Sequence, residues 1–203
     1  MRMRHHGRTT IRLWCLVFLL DNMSEISEEM SKKIRRGIRR GGNLIRADLR
    51  KADLSWKDLS GARLNEADLR WATLRGTNLH CADLTGARLT RANLVRADLT
   101  GAALTGAKLW GANLRGAKLR RADLREARLR GADLLHADLE GADLREARLN
   151  RANLRASDLM KADLRGADLE GADLYWVDLD RANLEGAKWD ENTRWPQGFT
   201  PPE

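Results

Sequence analysis

The chain has 203 residues and a formal net charge of +8, with 37 Lys and Arg against 29 Asp and Glu. Its two cysteines, Cys15 and Cys81, lie in distant segments, which argues against a disulfide framework. The charge is unevenly distributed, because residues 1–41 hold 10 basic and 4 acidic residues, a balance of +6. The high net charge therefore does not by itself make the rest of the chain a nucleic-acid binder.

Residues 1–22 combine basic residues with a short apolar run, Leu13 to Leu20. This order resembles a signal peptide, but the run is too short to span a bilayer and no A-x-A-like cleavage site follows it. We interpret the segment as a leader or disordered extension, and Met23 is an alternative start of the chain. An export or membrane signal is the other alternative, and in that case the protein is exported or membrane-attached.

Residues 23–41 carry apolar side chains three or four positions apart, at Met23, Ile26, Met30, Ile34 and Ile38. This spacing predicts a short amphipathic helix. Acidic residues lie early in it and basic residues late, which suits the helix dipole. We predict that it caps the first turn of the domain that follows. The alternative is a basic arm for nucleic acid or anionic lipid.

From Leu44 to Leu184 every fifth residue is leucine, 29 leucines in all. In a helix, five residues advance about 500°, so these leucines would not form one stripe. In a straight strand they would alternate between faces. The pattern predicts a coil in which a small residue and the leucine point inward, the polar residue between them points outward, and two residues form a corner. Several corners contain glycine: Gly61, Gly86, Gly101, Gly106, Gly111, Gly131 and Gly166.

The small inward position is usually alanine, and its exceptions indicate how many sides the coil has. Apart from Gly42, they are Lys57, Thr77, Ser157 and Val177, whose numbers differ by multiples of 20. They therefore share one face if each coil contains four repeats. Lys57 lies in the first coil, where we expect its amine to extend past the open end.

Units such as Ala47-Asp48-Leu49 and Ala92-Asn93-Leu94 have the form A(D/N)LXX. Over residues 42–189 the chain resembles the pentapeptide-repeat proteins. The resemblance implies an all-β fold, a right-handed, quadrilateral parallel β-helix of slightly more than seven coils. Stability in such a stack is cooperative between neighbouring coils.

Beyond Leu184 the repeat decays into a segment rich in Trp and Pro, residues 190–203. The stretch from Trp189 to Phe199 resembles the closing segment found after many such solenoids, which implies a C-terminal cap. We expect Trp189, Trp195 and Phe199 to cover the last leucine layer. The prolines lack amide donors and discourage strand addition. An uncovered end would favour end-to-end oligomers.

The sequence contains no recognisable catalytic or metal-binding motif. Asp and Arg recur because the repeat recurs, and the histidines and cysteines show no metal-ligand spacing. No glycine loop lies between a strand and a helix, where it could hold a phosphate. We therefore predict a non-enzymatic, bacterial, cytoplasmic protein without cofactor, metal or membrane association.

A period of 20 places a run of cations and one tryptophan on one face and its corner. We call this set the basic face: Arg88, Arg91, Lys108, Trp110, Arg128, Arg130, Arg148 and Arg151. Arg50, Arg70 and Trp71 would extend it toward the N-terminus. Exposed Arg and Trp are favoured binding anchors. We predict a scaffold that binds an acidic partner protein, or a polyanion such as nucleic acid, through this face.

A second face is rich in carboxylates. We call it the acidic face: Asp98, Asp138, Glu140, Asp158, Asp178 and Asp180. Lys118 and Arg120 interrupt it. Some pentapeptide-repeat proteins resemble duplex DNA in shape and charge and bind DNA gyrase. That resemblance implies an alternative function for this chain, a DNA mimic that binds gyrase or another topoisomerase through the acidic face.

Overall fold

The computed structural model describes residues 41–201. In this range the backbone pairs through isolated parallel β-bridges, and no longer strand and no helix is present. All bridges but the last join a residue to the one 20 positions later, from Asn43–Arg63 to Asp168–Lys188. The prediction of four repeats per coil is confirmed. The predicted leader and nearly all of the predicted helix at 23–41 lie outside the described residues, which include no helix able to cross a membrane.

Each side of the coil pairs with its neighbours through one bridge residue. A single residue, the polar one before the leucine, forms the bridge to the coils above and below. Asp68, for example, donates its amide to the Ala47 carbonyl at 2.8 Å, and its own carbonyl accepts from the Leu49 amide at 2.8 Å. The corner begins two residues later, so no room remains for a longer strand.

Leucine fills the interior of the coil. Every ladder leucine from Leu49 to Leu174 is at most 4% exposed. Each contributes about 1.5–3 kcal/mol by burial, before the entropy of ordering the chain is subtracted. Leu44 and Leu179, near the two ends, are only partly buried.

The exceptions on the alanine column differ in how they are accommodated. Thr77 is fully buried, and its hydroxyl donates to the Leu54 carbonyl at 2.8 Å. Val177 is 6% exposed and adds apolar volume. Ser157 is buried, and its hydroxyl has no partner among the described residues. Lys57 is exposed, as expected for a side chain at the open first coil.

Every corner contains a residue in the left-handed backbone region. The second corner residue of each repeat, from position 46 to position 186, has φ between 52° and 66°. The next amide donates to the ladder leucine before the corner, as Ala97 does to Leu94 at 2.9 Å. These are the features of a type II turn. Glycine suits this position, yet residues as different as Arg91 and Ala156 also occupy it.

The polar residue before the leucine has a structural role beyond the bridge. Of the five amides in a repeat, three bond to neighbouring coils and one closes the turn. The fifth, just after the leucine, donates to the side-chain oxygen of the Asp or Asn two residues earlier, as Thr85 does to Asp83 at 3.0 Å. An Asx turn of this kind satisfies the remaining donor. Asp and Asn therefore recur because the fold uses their oxygens.

The last coil contains one additional residue, because Asp173 bridges to Arg194 instead of residue 193. The insertion forms a turn held by Asp190, whose carboxylate accepts from the Gly171 amide at 2.7 Å. The Thr193 hydroxyl donates to the Leu169 carbonyl at 3.0 Å. Hydrogen bonds from the Asn192 side chain and the Gly171 amide lower the pKa of Asp190 to about 2.

Three aromatic side chains flank this turn, Trp189 before it and Trp195 and Phe199 after it. Trp189, Trp195 and Phe199 pack against the core, and Trp195 stacks on Phe199 with 5.2 Å between ring centroids. Trp189 meets Trp195 edge-on at 5.6 Å. The last leucine layer is thus partly covered. That these residues prevent addition of a further strand stays a prediction.

Because one residue of each corner has left-handed backbone geometry, we predict that Ala→Gly stabilises the fold at a corner position and destabilises it at an inward position. At Ala156, where φ is 52°, we expect Ala→Gly to increase the free energy of unfolding by up to about 1 kcal/mol, because glycine adopts this conformation without strain. The control is Ala137→Gly, at a buried inward position with ordinary φ, which should decrease stability. Urea unfolding measures both. Destabilisation by both substitutions would contradict the role of the corner.

Acid should destabilise the coil through its turn carboxylates. Asp123 accepts hydrogen bonds from the Arg125 guanidinium, the Arg125 amide and Thr105, and these lower its pKa to about 2. Since the folded carboxylate binds protons less readily than the unfolded one, its stabilisation is present above its ordinary pKa of 3.8 and is lost as the pH falls toward about 2.

We therefore expect the Asp123→Asn variant to lose less stability than the unaltered protein between about pH 6 and about pH 2.5. Asparagine keeps the turn acceptor but has no proton to bind. Urea unfolding at both pH values measures the difference. Equal losses in the two proteins would exclude Asp123 as a contributor.

Candidate interaction face

The structure brings the central residues of the basic face into one column. Parallel bridges connect Arg88 to Lys108, Lys108 to Arg128 and Arg128 to Arg148. The coil repeat therefore separates successive cations by about 4.8 Å. Arg91, Arg130 and Arg151, with Trp110, lie on the corner that follows this column. Asp68 and Asp168 bound the column at its two ends.

In four successive coils, the cations of the column occupy the repeat position at which Asp or Asn elsewhere accepts the hydrogen bond of the Asx turn. The amides that would donate this bond belong to Thr90, Trp110, Arg130 and Asn150, and none has a protein acceptor among the described residues. A typical intramolecular hydrogen bond contributes about 0.5–1.5 kcal/mol, so the column forgoes a stabilising interaction used elsewhere in the chain. The demands of the repeat do not explain these four residues.

None of the seven cations of the basic face forms an ion pair within residues 41–201. On the neighbouring face, by contrast, Arg125 and Arg145 each contact aspartates of two successive coils. Isolated cations without an ion pair occur elsewhere, for example Arg63 and Arg75, but not as a stacked column. The basic face is therefore an accumulation of uncompensated positive charge.

Trp110 lies within this charge and is 43% exposed. The guanidinium carbon of Arg128 is 5.9 Å from the centroid of the Trp110 ring, which is within the range of a cation–π contact. The contact holds one arginine beside an exposed aromatic surface. An open cleft of about 440 Å³ begins here, and its lining includes Trp110, Arg130, Arg148, Asn150 and Asp168.

A second open cleft, of about 580 Å³, continues along the corner toward the C-terminus. It is lined by Arg130, Asn150, Arg151, Glu170, Gly171, Asp190 and Asn192. Sequence reasoning missed its acidic end. The 20-residue period does place Glu170 one turn after Asn150, but the hydrogen bond that holds the Asp190 carboxylate against the Gly171 amide belongs to the irregular turn after Lys188. At its C-terminal end the basic face is thus bordered by carboxylates.

The expected extension toward the N-terminus does not carry free charge. Arg50 contacts Asp48 at 2.6 Å and Arg70 contacts Asp68 at 2.6 Å. These bonds lower the pKa of Asp48, chiefly through its hydrogen bond with Arg50. Trp71 remains exposed, with the Arg70 guanidinium carbon 5.6 Å from its ring centroid. Arg50 and Arg70 therefore do not add to the uncompensated charge of the basic face.

The acidic face is different, because several of its carboxylates are paired. Asp98 contacts Lys118 at 3.5 Å, and Asp138 contacts Arg120 at 3.4 Å. Glu140 contacts both Arg120 and Lys161, and its pKa is lowered by the hydrogen bond from Lys161. Asp180 contacts Arg181 at 3.5 Å. Only Asp158 and Asp178 of this face have no ion pair among the described residues.

Residues 41–201 contain no group of three or more His, Cys, Asp or Glu side chains that could hold a metal ion. Cys81 is exposed, and its sulfur lies 3.4 Å from Nε2 of His80. This contact joins neighbours on one corner and involves no third ligand.

The family model of pentapeptide repeats matches eight copies between residues 43 and 186. Among curated proteins, none matches the chain. The pentapeptide repeat protein HetL of Nostoc sp. strain PCC 7120, involved in heterocyst differentiation regulation, is 31% identical over 81% of this chain and 94% of that chain, with a TM-score of 0.31.

Two further solved structures are similar. Rfr23, a pentapeptide repeat protein of the cyanobacterium Cyanothece 51142, is 39% identical over 48% of this chain, with a TM-score of 0.40. The present chain spans 63% of that chain. QnrB1, a plasmid-mediated fluoroquinolone resistance protein, is 20% identical over 73% of this chain and 87% of that chain, with a TM-score of 0.45. At 20% identity the likeness to QnrB1 supports no functional conclusion.

Restoring an Asx acceptor in the basic column should stabilise the fold. We expect Arg128→Asn to increase the free energy of unfolding by about 0.5–1.5 kcal/mol, because its oxygen can accept from the Arg130 amide. The control is Arg128→Gln, which removes the same charge but is one methylene too long for this turn. Urea unfolding compares the variants, and an equal effect of Asn and Gln would exclude the turn as the cause.

Proposed function

This chain belongs to the pentapeptide-repeat family, whose members fold as right-handed quadrilateral β-helices, and we propose that it is an interaction scaffold that binds an acidic partner protein through its basic face. The proposal rests on one observation above all. Seven cations stand together on one face, and none has an ion pair within the described residues.

The arrangement suits an acidic surface for two physical reasons. Stacked cations that form no ion pair raise the local positive potential, which attracts anionic groups and accelerates their association. Arginine then offers paired donors to carboxylates, and an exposed tryptophan adds contact area. The open cleft beside Trp110, lined also by Arg130 and Arg148, gives acidic side chains a place to enter. The coil needs to change little on binding, because its backbone is fixed by bridges on every side.

The acidic face is the weaker candidate. A protein that imitates duplex DNA needs a continuous column of uncompensated negative charge. Here Lys118 interrupts the column, and four of the six carboxylates already contact Lys or Arg. Inhibition of DNA gyrase by the purified chain, without binding to poly-glutamate, would favour this alternative over the basic face.

The basic face can be tested with a charge reversal and a matched control. We expect the purified chain to bind fluorescent poly-glutamate at low salt and to release it as salt rises, since screening weakens exposed charge contacts. Replacing Arg128, Arg130, Arg148 and Arg151 by Glu should abolish binding. The control replaces Arg63, Arg75, Arg96 and Arg121 by Glu, which changes the net charge equally but lies off the basic face.

Retention of binding in the control and its loss in the basic-face variant would support the proposal. Equal loss in both variants would attribute binding to net charge and overturn it. Binding to single-stranded DNA but not to poly-glutamate would also overturn it and assign the face to nucleic acid, with a salt dependence that reflects the number of phosphate contacts.

A further inference from the structure

We infer that the acidic partner of the basic face includes a second copy of this chain, bound through its acidic face, so that coils associate side by side. The inference rests on the proposed function, because it requires the basic face to be a binding surface. It goes beyond it by naming the chemistry and the spacing of the bound carboxylates.

The two faces lie on opposite sides of the coil. Arg128 and Asp138 are 10 residues apart, which is half of the 20-residue turn, and the same holds for Arg148 and Asp158. One molecule can therefore present its basic face to one neighbour and its acidic face to another. A contact between two different faces of this kind is heterologous, and it propagates into open arrays instead of closing as a dimer.

The spacing of the charges matches because both columns belong to the same kind of coil. Cations at Lys108, Arg128 and Arg148 repeat once per coil, or about every 4.8 Å, and so do the carboxylates of the acidic face. An extended acidic peptide would offer same-side carboxylates about 6.6–6.8 Å apart and would lose register after a few residues. A second β-helix keeps register along the whole column.

One arrangement also uses the carboxylates that lack partners. With two coils parallel and offset along the axis by one and a half turns, which is 30 residues, Lys108, Arg128 and Arg148 stand opposite Asp138, Asp158 and Asp178. Asp158 and Asp178 are the members of the acidic face without an ion pair among the described residues. The free cations of one copy thus meet the free anions of the next.

Within the two columns, the same offset brings like charges together only at the N-terminal edge of the contact. There Arg88 faces Lys118, and Asp68 faces Asp98. Lys118 and Asp98 already contact each other at 3.5 Å, and Asp68 contacts Arg70 at 2.6 Å. These internal pairs reduce the repulsion, because each charge is partly compensated within its own chain.

A charge swap tests the inference with substitutions that the coil already accommodates at this repeat position. One variant carries Arg128→Asp and Arg148→Asp, and the other carries Asp158→Arg and Asp178→Arg. Sedimentation velocity measures the weight-average mass of each protein alone and of an equimolar mixture. Circular dichroism confirms that both variants are folded.

We expect the unaltered chain to exceed the mass of one chain at about 0.01 M salt and to return to it at about 0.5 M, as the Debye length shortens. Each variant alone should stay monomeric, because its two opposite faces carry the same sign. The mixture should associate again, since the reversed faces complement each other. This recovery would not be expected if the substitutions had merely damaged the fold.

Three results would overturn the inference: an unaltered chain that stays monomeric at low salt, variants that associate alone as strongly as the unaltered chain, or a mixture that does not associate. The second result would indicate contact through the coil ends. Poly-glutamate titration of the same samples separates the two proposals. A monomeric chain that binds poly-glutamate overturns only the side-by-side association, whereas a monomeric chain that does not bind it overturns both.

Discussion

The whole fold depends on satisfying five backbone amides in every five residues. Three of them bond to the coils above and below, one closes the turn, and the fifth needs a side-chain oxygen. An amide without an acceptor is costly, so this requirement constrains the sequence as well, although less strictly than the interior, because four coils at Arg88 to Arg148 lack the side-chain acceptor. Leucine fills the core, whereas Asp and Asn supply the hydrogen-bond acceptor for the amide that begins the corner. So sharp a turn also requires one residue per corner in the left-handed backbone region, which is unfavourable for residues other than glycine.

This requirement also distinguishes structural polar residues from those that need another explanation. Asp83 or Asn93 would be retained by the turn alone, because each supplies an acceptor. Lys108 and Arg128 cannot supply one, and they occupy the same repeat position in successive coils. Charged residues on a repeat surface are otherwise hard to interpret, since they recur with the repeat. The departure from the turn chemistry is what makes the basic column informative.

Much of the architecture could be predicted from the sequence because the residues that determine it recur at fixed intervals. The five-residue leucine ladder indicated the coil, and the lapses from Lys57 to Val177 indicated four sides. The stacking of the basic-face cations in one column was predicted from the same 20-residue period. Its ion pairing was not predicted, although the sequence carries a signal: Arg70 has Asp68 two residues earlier, whereas Arg130, at the same corner position, has Arg128 there. The turn at Asp190 was also beyond reach, since an extra residue between Lys188 and Arg194 ends the period there.

In a coil of this kind, the backbone holds the charged side chains in columns whose positions are fixed. The backbone bridges set the spacing along each column, and the four sides set which columns lie back to back. Loops could adjust the position of their charges to a partner, whereas these columns cannot. Specificity must then come from matching the partner's spacing, and a rise of about 4.8 Å is the spacing of neighbouring β-strands. The rigidity that makes the coil stable therefore also restricts the set of surfaces that it can recognise along its length.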